Sequence, residues 1–175
     1  MIRSAAVIDA EGILAIYRDF VTQTWVTFET EPPSLHEMRA RIERAVERYE
    51  WLLFERASEL LGYAYANRFH PRPAYSWSVE VSVYVKPGFQ GEGIGRSLLS
   101  ALLESLAGSG YVNAFAGVAL PNPASVKLFE SLGFEQVALQ KQVGYKLGRW
   151  RDVGWWQLEL AVASVPPPVL EWSEA

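Results

Sequence analysis

The sequence predicts an α/β fold, a single domain in which helices flank a mixed central β-sheet. Apolar residues recur at helical spacing in some segments and at alternate positions in others. The predicted elements follow the order strand, two helices, three strands able to pair antiparallel, helix, strand, helix and two strands. The 175 residues suffice for one domain with a real core. No internal repeat or domain-scale linker interrupts them.

The composition excludes several function classes. A net charge of −4 argues against a nucleic-acid partner. The chain has no cysteine, which removes disulfides, thiolate metal sites and a cysteine nucleophile and fits a reducing compartment. With only two histidines we expect no bound metal. The sequence shows no signal peptide and no apolar run long enough to span a bilayer, so we expect a cytoplasmic protein without a membrane partner.

The N-terminal segment predicts an edge strand over Ile2–Ile8, followed by a helix that Asp9 caps. A loop is predicted from Thr22 to Pro33 because it is rich in threonine and ends in two prolines. Trp25 and Phe28 in this loop either cover the core or form the apolar wall of a substrate pocket. The positions that predict the buried face of the first helix are Ile13, Ile16, Tyr17 and Phe20.

A capping box, Ser34-x-x-Glu37, predicts the start of the second helix. Two strands are then predicted, Trp51–Arg56 and Leu61–Phe69. A rigid, proline-containing loop follows them and leads into the central strand.

The central stretch, Trp77–Leu103, predicts a strand, a glycine-rich turn and a helix. Side chains alternate along a strand, so valines face one way and polar groups, including the Glu80 carboxylate, face the other. Pro87 should end the strand. The turn Gln90–Gly95 holds three glycines at alternate positions and opens an apolar helix. Free N–H groups at such a helix start suit an anion.

Neither of two common nucleotide motifs fits this turn. A dinucleotide fingerprint needs GxGxxG and a later acidic residue, whereas the spacing here is GxGxG. A Walker loop ends in GK[ST], whereas this turn continues as Gly95-Arg96-Ser97. A tight turn without any ligand remains the simplest alternative.

The C-terminal part completes the sheet. The predicted elements are a strand over Val112–Val118, a turn at Pro121–Pro123, a helix over Ala124–Leu132, a strand over Phe134–Gln142, a loop over Gly144–Asp152 and a strand over Val153–Leu160. The predicted domain covers residues 1–160, and residues 161–175 are expected to form a flexible tail containing Pro166–Pro168.

Three segments together resemble one family. SVYV, QGEGIG and LPNPASVKLFESLGF resemble the GNAT superfamily of acetyl-CoA-dependent N-acetyltransferases, and QGEGIG fits its [QR]xxGx[GA] pyrophosphate loop. TFETEPPS, RPAYSWSVEVSVYV and VGYKLGRWRDVGWWQLEL resemble the phosphinothricin N-acetyltransferase-like branch. The resemblance covers Ile2–Leu160.

The resemblance implies a GNAT-like fold and acetyl-CoA as donor co-substrate. It also implies a homodimer and an acceptor that is a small amino acid of the phosphinothricin or methionine sulfoximine type. Glu80 would be the general base, although an ion pair with Arg72 would leave it purely structural. Acceptor contacts are implied at Phe28, Arg72, Tyr75 and Val153. Coenzyme contacts are implied at Val83, Tyr84, Val85, Gln90, Gly91, Glu92, Gly93, Ile94, Gly95, Arg96, Ser97, Asn122 and Ser125.

The chain departs from the family at Phe129. Relatives carry a tyrosine or histidine there that can protonate the leaving thiolate, and phenylalanine cannot. We therefore expect water, or Tyr145, to supply that proton. Lys146 is expected to lie in an exposed loop, and Trp150, Trp155 and Trp156 in the core or a dimer interface.

Two other functions stay open. The same fold can acetylate a polyamine or a protein N-terminus, although Arg72 opposes a cationic acceptor. A non-catalytic acyl-CoA-binding module is supported by Phe129 and opposed by Glu80.

Overall fold

A computed structural model describes residues 1–46 and 48–162. They form a mixed sheet of seven strands in the order β1-β2-β3-β4-β5-β7-β6. The strands are β1 Ile2–Ser4, β2 Trp51–Arg56, β3 Glu59–Arg68, β4 Ser78–Val85, β5 Asn113–Leu120, β6 Glu135–Lys146 and β7 Arg149–Glu159. The helices are α1 Ala10–Gln23, α2 Leu35–Val46, α3 Ile94–Gly108 and α4 Pro123–Ser131. This confirms the predicted α/β class and element order. In the predicted tail, residues 163–175 lie outside the described part.

Two apolar cores form on opposite faces of the sheet. Helices α1 and α2 pack on one face, against Leu53 and Tyr63. Helices α3 and α4 pack on the other, against Val79 and Val81 of β4. The alternation along β4 explains this division, because its valines face α3 while Glu80 and its polar neighbours face the α1–α2 side. No helix in the two described ranges is long and apolar enough to cross a membrane.

Strands β4 and β5 pair only at their beginnings. The parallel ladder joins Ser78–Glu80 to Asn113–Phe115, whereas β4 continues to Val85 and β5 to Leu120. Beyond this ladder the two strands separate and leave a wedge-shaped opening in the sheet. The glycine-rich turn follows the unpaired end of β4. The wedge therefore extends from Glu80 towards that turn.

The backbone of β4 presents unpaired groups to this wedge. The Lys86 N–H donates to Leu61 O on β3, whereas Trp77 O accepts from Asn113 N on the β5 side. Peptide groups of successive residues in a strand point to alternate sides. The N–H groups of Val83 and Val85 therefore point towards β5, where the ladder has already ended.

The predicted first strand is too long. β1 ends at Ser4 and a short 3-10 turn occupies Val7–Asp9. Asp9 does not cap α1; its carboxylate binds the Arg3 guanidinium at 2.7 and 2.8 Å and accepts from the Ala6 N–H. The predicted loop from Thr22 also starts too early, because α1 continues to Gln23.

The predicted loop over Gly144–Asp152 is wrong. β6 continues to Lys146 and β7 starts at Arg149, so a two-residue turn joins a long hairpin. Leu147 and Gly148 both have positive φ, 51° and 74°, as a type I′ turn requires. Leucine is not a usual residue for this turn. The Leu-Gly pair therefore did not indicate a hairpin turn in the sequence.

Candidate active site

Glu80 lies at the apex of the wedge. Its neighbours across the sheet are Asn67 on β3 and Phe115 on β5. No hydrogen bond or ion pair joins the Glu80 carboxylate to another described residue, so the suggested pair with Arg72 is absent. Burial raises the pKa of Glu80 above its ordinary value. The direction of this pKa shift favours the acceptance of a proton by Glu80.

An aromatic wall stands beside Glu80 on the β5 side. Phe69 stacks on Phe115 with ring centroids 4.0 Å apart and contacts Trp155 edge-on. Tyr75, one of the predicted acceptor residues, meets Phe69 edge-on at 6.0 Å. Sequence reasoning missed Phe69 and Phe115. The alternation of Phe115 with two buried alanines was a signal that it faces away from the α3 core.

Arg72 lies at the exposed entrance to this wall. It immediately precedes the 3-10 turn Pro73–Tyr75, and its backbone N–H approaches His70 Nδ1 at 3.4 Å. The turn places Tyr75 on the aromatic wall, with the His70 ring 4.6 Å away. The structure therefore brings Arg72 and Tyr75 to the same short segment at the edge of the site.

The loop between α1 and α2 packs against strand β6. The Lys146 ammonium donates to Thr27 O at 2.7 Å. Lys146 is only 6% exposed, so its predicted place in an exposed loop is wrong. Burial lowers the pKa of this ammonium. The Phe28 ring lies against Gly144, where a Cβ would come within 2.3 Å of it. Phe28 is partly exposed and contacts the β6–β7 hairpin at Gly144.

Trp25 attaches the same loop to the end of β5. Its Nε1 donates to Pro121 O at 3.1 Å. The Arg151 guanidinium lies 4.0 Å from the centre of the Trp25 ring, in a cation–π contact. Val153 follows on β7, opposite Ala119 at the end of β5. Trp25 therefore fixes the loop, and Val153 lies in the part of the sheet on which the loop rests.

The glycine-rich turn has the open backbone expected of an anion site. Gly88, Gly91 and Gly93 have φ of 92°, 84° and 82°, and no atom lies within 4 Å of a Cβ placed on any of them. Helix α3 starts directly after Gly93 without a side-chain cap. Its first N–H groups thus lack side-chain partners at the helix start.

Side chains around this turn mostly hold the protein together. The Gln90 amide accepts from Gly88 N at 2.9 Å and donates to Val85 O at 3.4 Å. Glu92 pairs with Arg56 at 2.7 Å. The Arg96 guanidinium donates to Ser131 Oγ at 2.7 Å and so joins α3 to α4. These side chains are thus engaged within the protein, which leaves the backbone of the turn as the candidate for contact with an anion.

Close packing explains Gly95. A Cβ there would lie 3.2 Å from Leu128 on α4.

Asn122 caps α4, since its Oδ1 accepts from Ser125 N at 3.1 Å. Asn122 and Ser125 thus lie at the start of α4, which follows shortly after the end of β5. Phe129 is buried and packs edge-on against Phe134 in the core.

The remaining aromatic residues divide between core and surface. Trp156 is buried, whereas Tyr145 and Trp150 are both 59% exposed and lie in contact near the hairpin turn. Within the described ranges, no three acidic or histidine side chains come together in a way that could hold a metal ion.

Comparison with known proteins places this geometry in context. The family described as acetyltransferase (GNAT) domain matches residues 2–155. Phosphinothricin N-acetyltransferase of Streptomyces viridochromogenes is 37% identical over 168 residues, which cover 96% of this chain and 92% of the relative. L-methionine sulfoximine/L-methionine sulfone acetyltransferase of Pseudomonas aeruginosa is 39% identical, with 91% and 94% covered.

A solved structure agrees with these relatives. The GNAT superfamily phosphinothricin acetyltransferase of Sinorhizobium meliloti, in complex with acetyl-CoA, superposes with a TM-score of 0.92. It is 34% identical, with 97% of this chain and 92% of that chain covered. The predicted resemblance is thereby confirmed. With its split sheet, its glycine turn and an unpaired Glu80 between them, this chain belongs to the GNAT superfamily of acetyltransferases.

Proposed function

We propose that this acetyltransferase moves the acetyl group of acetyl-CoA to the amine of a small amino acid or analogue of the phosphinothricin or methionine sulfoximine type. The observation that carries the proposal is the unpaired Glu80 carboxylate at the apex of the wedge. The names of the curated relatives support the acceptor class, and the Sinorhizobium complex supports acetyl-CoA as donor.

Glu80 acts as the general base. An acceptor amine arrives mostly as ammonium, which has no lone pair, so it must lose a proton before it attacks. Glu80 takes that proton, directly or through one water, and its raised pKa brings it closer to the operating pH. The freed nitrogen then bonds to the thioester carbon, and the carbonyl π electrons move to oxygen.

The backbone of β4 stabilises the resulting oxyanion. The family resemblance implies this role for the backbone of the Tyr84–Val85 region. The Val85 and Val83 N–H groups point into the wedge without a strand partner, as oxyanion donors must. The nitrogen of the tetrahedral intermediate gives its second proton to solvent, and on collapse the carbon–sulfur bond breaks and the thiolate leaves.

Water protonates the leaving thiolate in this proposal. A thiol has a pKa of about 8.5, so its thiolate is a tolerable leaving group near neutral pH. Phe129 has no proton to donate and lies in the core. Tyr145 is exposed on the hairpin and remains the protein group proposed as an alternative donor.

The wedge and its rim hold the two substrates. The amides of the turn, Gln90–Gly95, and the start of α3 through Ser97 bind the pyrophosphate of acetyl-CoA. Asn122 and Ser125 contact the coenzyme from the β5 side. Arg72 binds an acidic group of the acceptor, since a guanidinium can hold a carboxylate or phosphinate through two hydrogen bonds. The acceptor body then rests among Tyr75, Phe28 and Val153.

Release of free CoA tests the proposal. Acetyl-CoA is offered with phosphinothricin, methionine sulfoximine, common amino acids, a polyamine and a short peptide. We expect release with the acidic amino-acid analogues and a fall in kcat of about 10²- to 10⁴-fold for Glu80→Gln. Glu104→Gln, an exposed change on α3, is the matched control. Unchanged turnover of Glu80→Gln would remove Glu80 as base. Release only with polyamine or peptide would replace the acceptor, and no release with any amine would favour a coenzyme-binding module.

We also propose that the protein acts in the cytoplasm as a homodimer. The support for a dimer is β6, a strand of 12 residues at the sheet edge. Its exposed apolar side chains include Val137, Leu139, Val143 and Tyr145. A long, apolar edge strand favours pairing with another chain. The cysteine-free composition supports a reducing compartment.

A further inference from the structure

A cavity of about 480 Å³ lies between helix α2 and strands β2 and β3. We call it the α2 pocket and define it by Arg41 and Arg44 on the helix and by Trp51, Tyr63 and Tyr65 on the sheet. None of these residues belongs to the predicted coenzyme or acceptor contacts. The pocket therefore has no role in the reaction as described so far.

The floor of the α2 pocket is flat and aromatic. Trp51 stacks on Tyr65 with centroids 4.5 Å apart and planes inclined by 22°, and Tyr63 continues this layer. The Trp51 side chain is buried, yet its Nε1 has no hydrogen-bond partner among the described residues. Surrounding atoms close this N–H off from solvent, so Trp51 offers the pocket its aromatic ring and not a hydrogen-bond donor.

The side of the pocket is positively charged. Three arginines, Arg41, Arg44 and Arg68, line it together with one carboxylate, Glu29. Arg41 uses its guanidinium on Glu29, at 2.6 Å. The Arg44 Nε donates only to its own helix, at Ala40 O, and no carboxylate of the described residues pairs with it. A cationic pocket in a chain of net charge −4 selects for an anion.

We propose that the α2 pocket binds a small organic anion, a carboxylate or similar group on a flat or aliphatic body. The body rests on the layer of Trp51, Tyr63 and Tyr65. The anionic group pairs with the Arg44 guanidinium. Aromatic and cationic side chains together give this pocket its preference for such a ligand.

The position of the pocket indicates two sources for the anion. Asn67 lines the pocket and is the cross-strand neighbour of Glu80, on the same face of the sheet. The anion is therefore either the distal end of an elongated acceptor or a free molecule bound beside the acceptor. The first source rests on the proposed function, whereas the second does not.

Nuclear magnetic resonance of the indole N–H groups tests this site. The ¹⁵N-labelled protein has seven tryptophans, and Trp51→Phe identifies the Trp51 signal. Benzoate is the probe, with benzyl alcohol and sodium chloride as neutral and ionic controls. We expect benzoate to shift the Trp51 Nε1–H signal in a saturable way, because its ring would rest on the aromatic layer that contains Trp51. Neither control should do so.

Substitutions then check the charge. Arg44→Gln should weaken benzoate binding about tenfold, as expected for loss of a charge-assisted hydrogen bond. Arg39→Gln lies on the same helix, is exposed and does not line the pocket, so it should bind as the parent does. An unmoved Trp51 signal, an equal shift with benzyl alcohol, or equal weakening by both substitutions would each overturn the proposal.

A final comparison separates the two sources. The amine used here is one that the enzyme acetylates. If this substrate amine displaces benzoate, and benzoate raises its KM, the anion is part of the acceptor. If benzoate binds without changing that KM, the site holds a free anion. CoA release and its dependence on Glu80 are measured independently, so loss of this proposal leaves the proposed function intact.

Discussion

At the scale of the residue, Glu80 carries opposing demands. A base needs a carboxylate that can reach the substrate, and folding favours carboxylates that are solvated or paired. Glu80 is neither fully solvated nor paired, and burial raises its pKa. Its polar strand face could be predicted from period-two alternation. Its lack of a partner could not, because Arg72 is near it in sequence but lies in a turn at the edge of the site.

This conflict predicts a stability effect with a definite pH dependence. The folded pKa of Glu80 lies above its ordinary value of 4.5, so the folded protein holds more protons in that window. The contribution of Glu80 to stability is therefore present below pH 4.5 and is lost as pH rises through the folded pKa. Glu80→Gln removes the buried charge and should raise Tm in mildly alkaline buffer, but not below pH 4.5.

Thermal unfolding at the two pH values checks this prediction, with Glu104→Gln as control. Glu104 is exposed on α3, so its substitution should leave Tm nearly unchanged at both. A Tm gain for Glu80→Gln that is as large in acid as in alkali would show that charge burial is not its cause.

At the scale of the element, β4 is the part on which the site depends. Its first three residues pair with β5 and its last residues do not, while β3 pairs with it from Val79 to Val85. Gly62 makes this close support possible, because a Cβ there would lie 2.8 Å from Tyr84 O. The sequence predicted β4 and the glycine turn well. It did not predict the separation of β4 from β5, which depends on how distant strands twist and pair.

Gly62→Ala should therefore destabilise the protein by about 1–3 kcal/mol, as overpacking against backbone does. It should also weaken acetyl-CoA binding, since the displaced segment of β4 borders the wedge. Gly108→Ala is the matched control. No atom lies within 4 Å of its Cβ position at the end of α3, so alanine should stabilise by up to about 1 kcal/mol.

Urea unfolding and calorimetric titration with acetyl-CoA measure both effects. Gly62→Ala with parental stability and parental affinity would mean that β4 tolerates the shift. It would also mean that the position of the Tyr84–Val85 backbone matters little for binding.

At the scale of the whole molecule, the sheet has two unlike edges. β1 has three residues, whereas β6 has twelve and carries the exposed apolar row. A specific dimer buries roughly 800 Å² on each partner, and a strand of this length with the adjoining hairpin offers a surface of that order. The sequence did not predict this long edge strand, because residues 144–152 were assigned to a loop. Most of these residues belong to the two strands of the hairpin.

Charge on β6 should therefore produce a monomer. Val137→Glu with Leu139→Glu places two carboxylates in the apolar row, where burial would cost several kcal/mol of association free energy. Sedimentation velocity measures the outcome. Ile8→Glu, 87% exposed at the far end of the sheet, is the control and should behave as the parent. A parent chain that sediments as a monomer, or a double variant that remains dimeric, contradicts the proposed interface.

The sequence by itself determined the order of the elements, the glycine-rich turn and the polar face that bears Glu80. These features depend on local periods and on glycine, which short segments reveal. Only the tertiary structure decided the wedge, the burial of Lys146, the aromatic wall of Phe69 and Phe115, and the pocket beneath α2. Each of these joins residues far apart in the chain, and their contacts depend on strand register and helix packing, which local patterns do not specify.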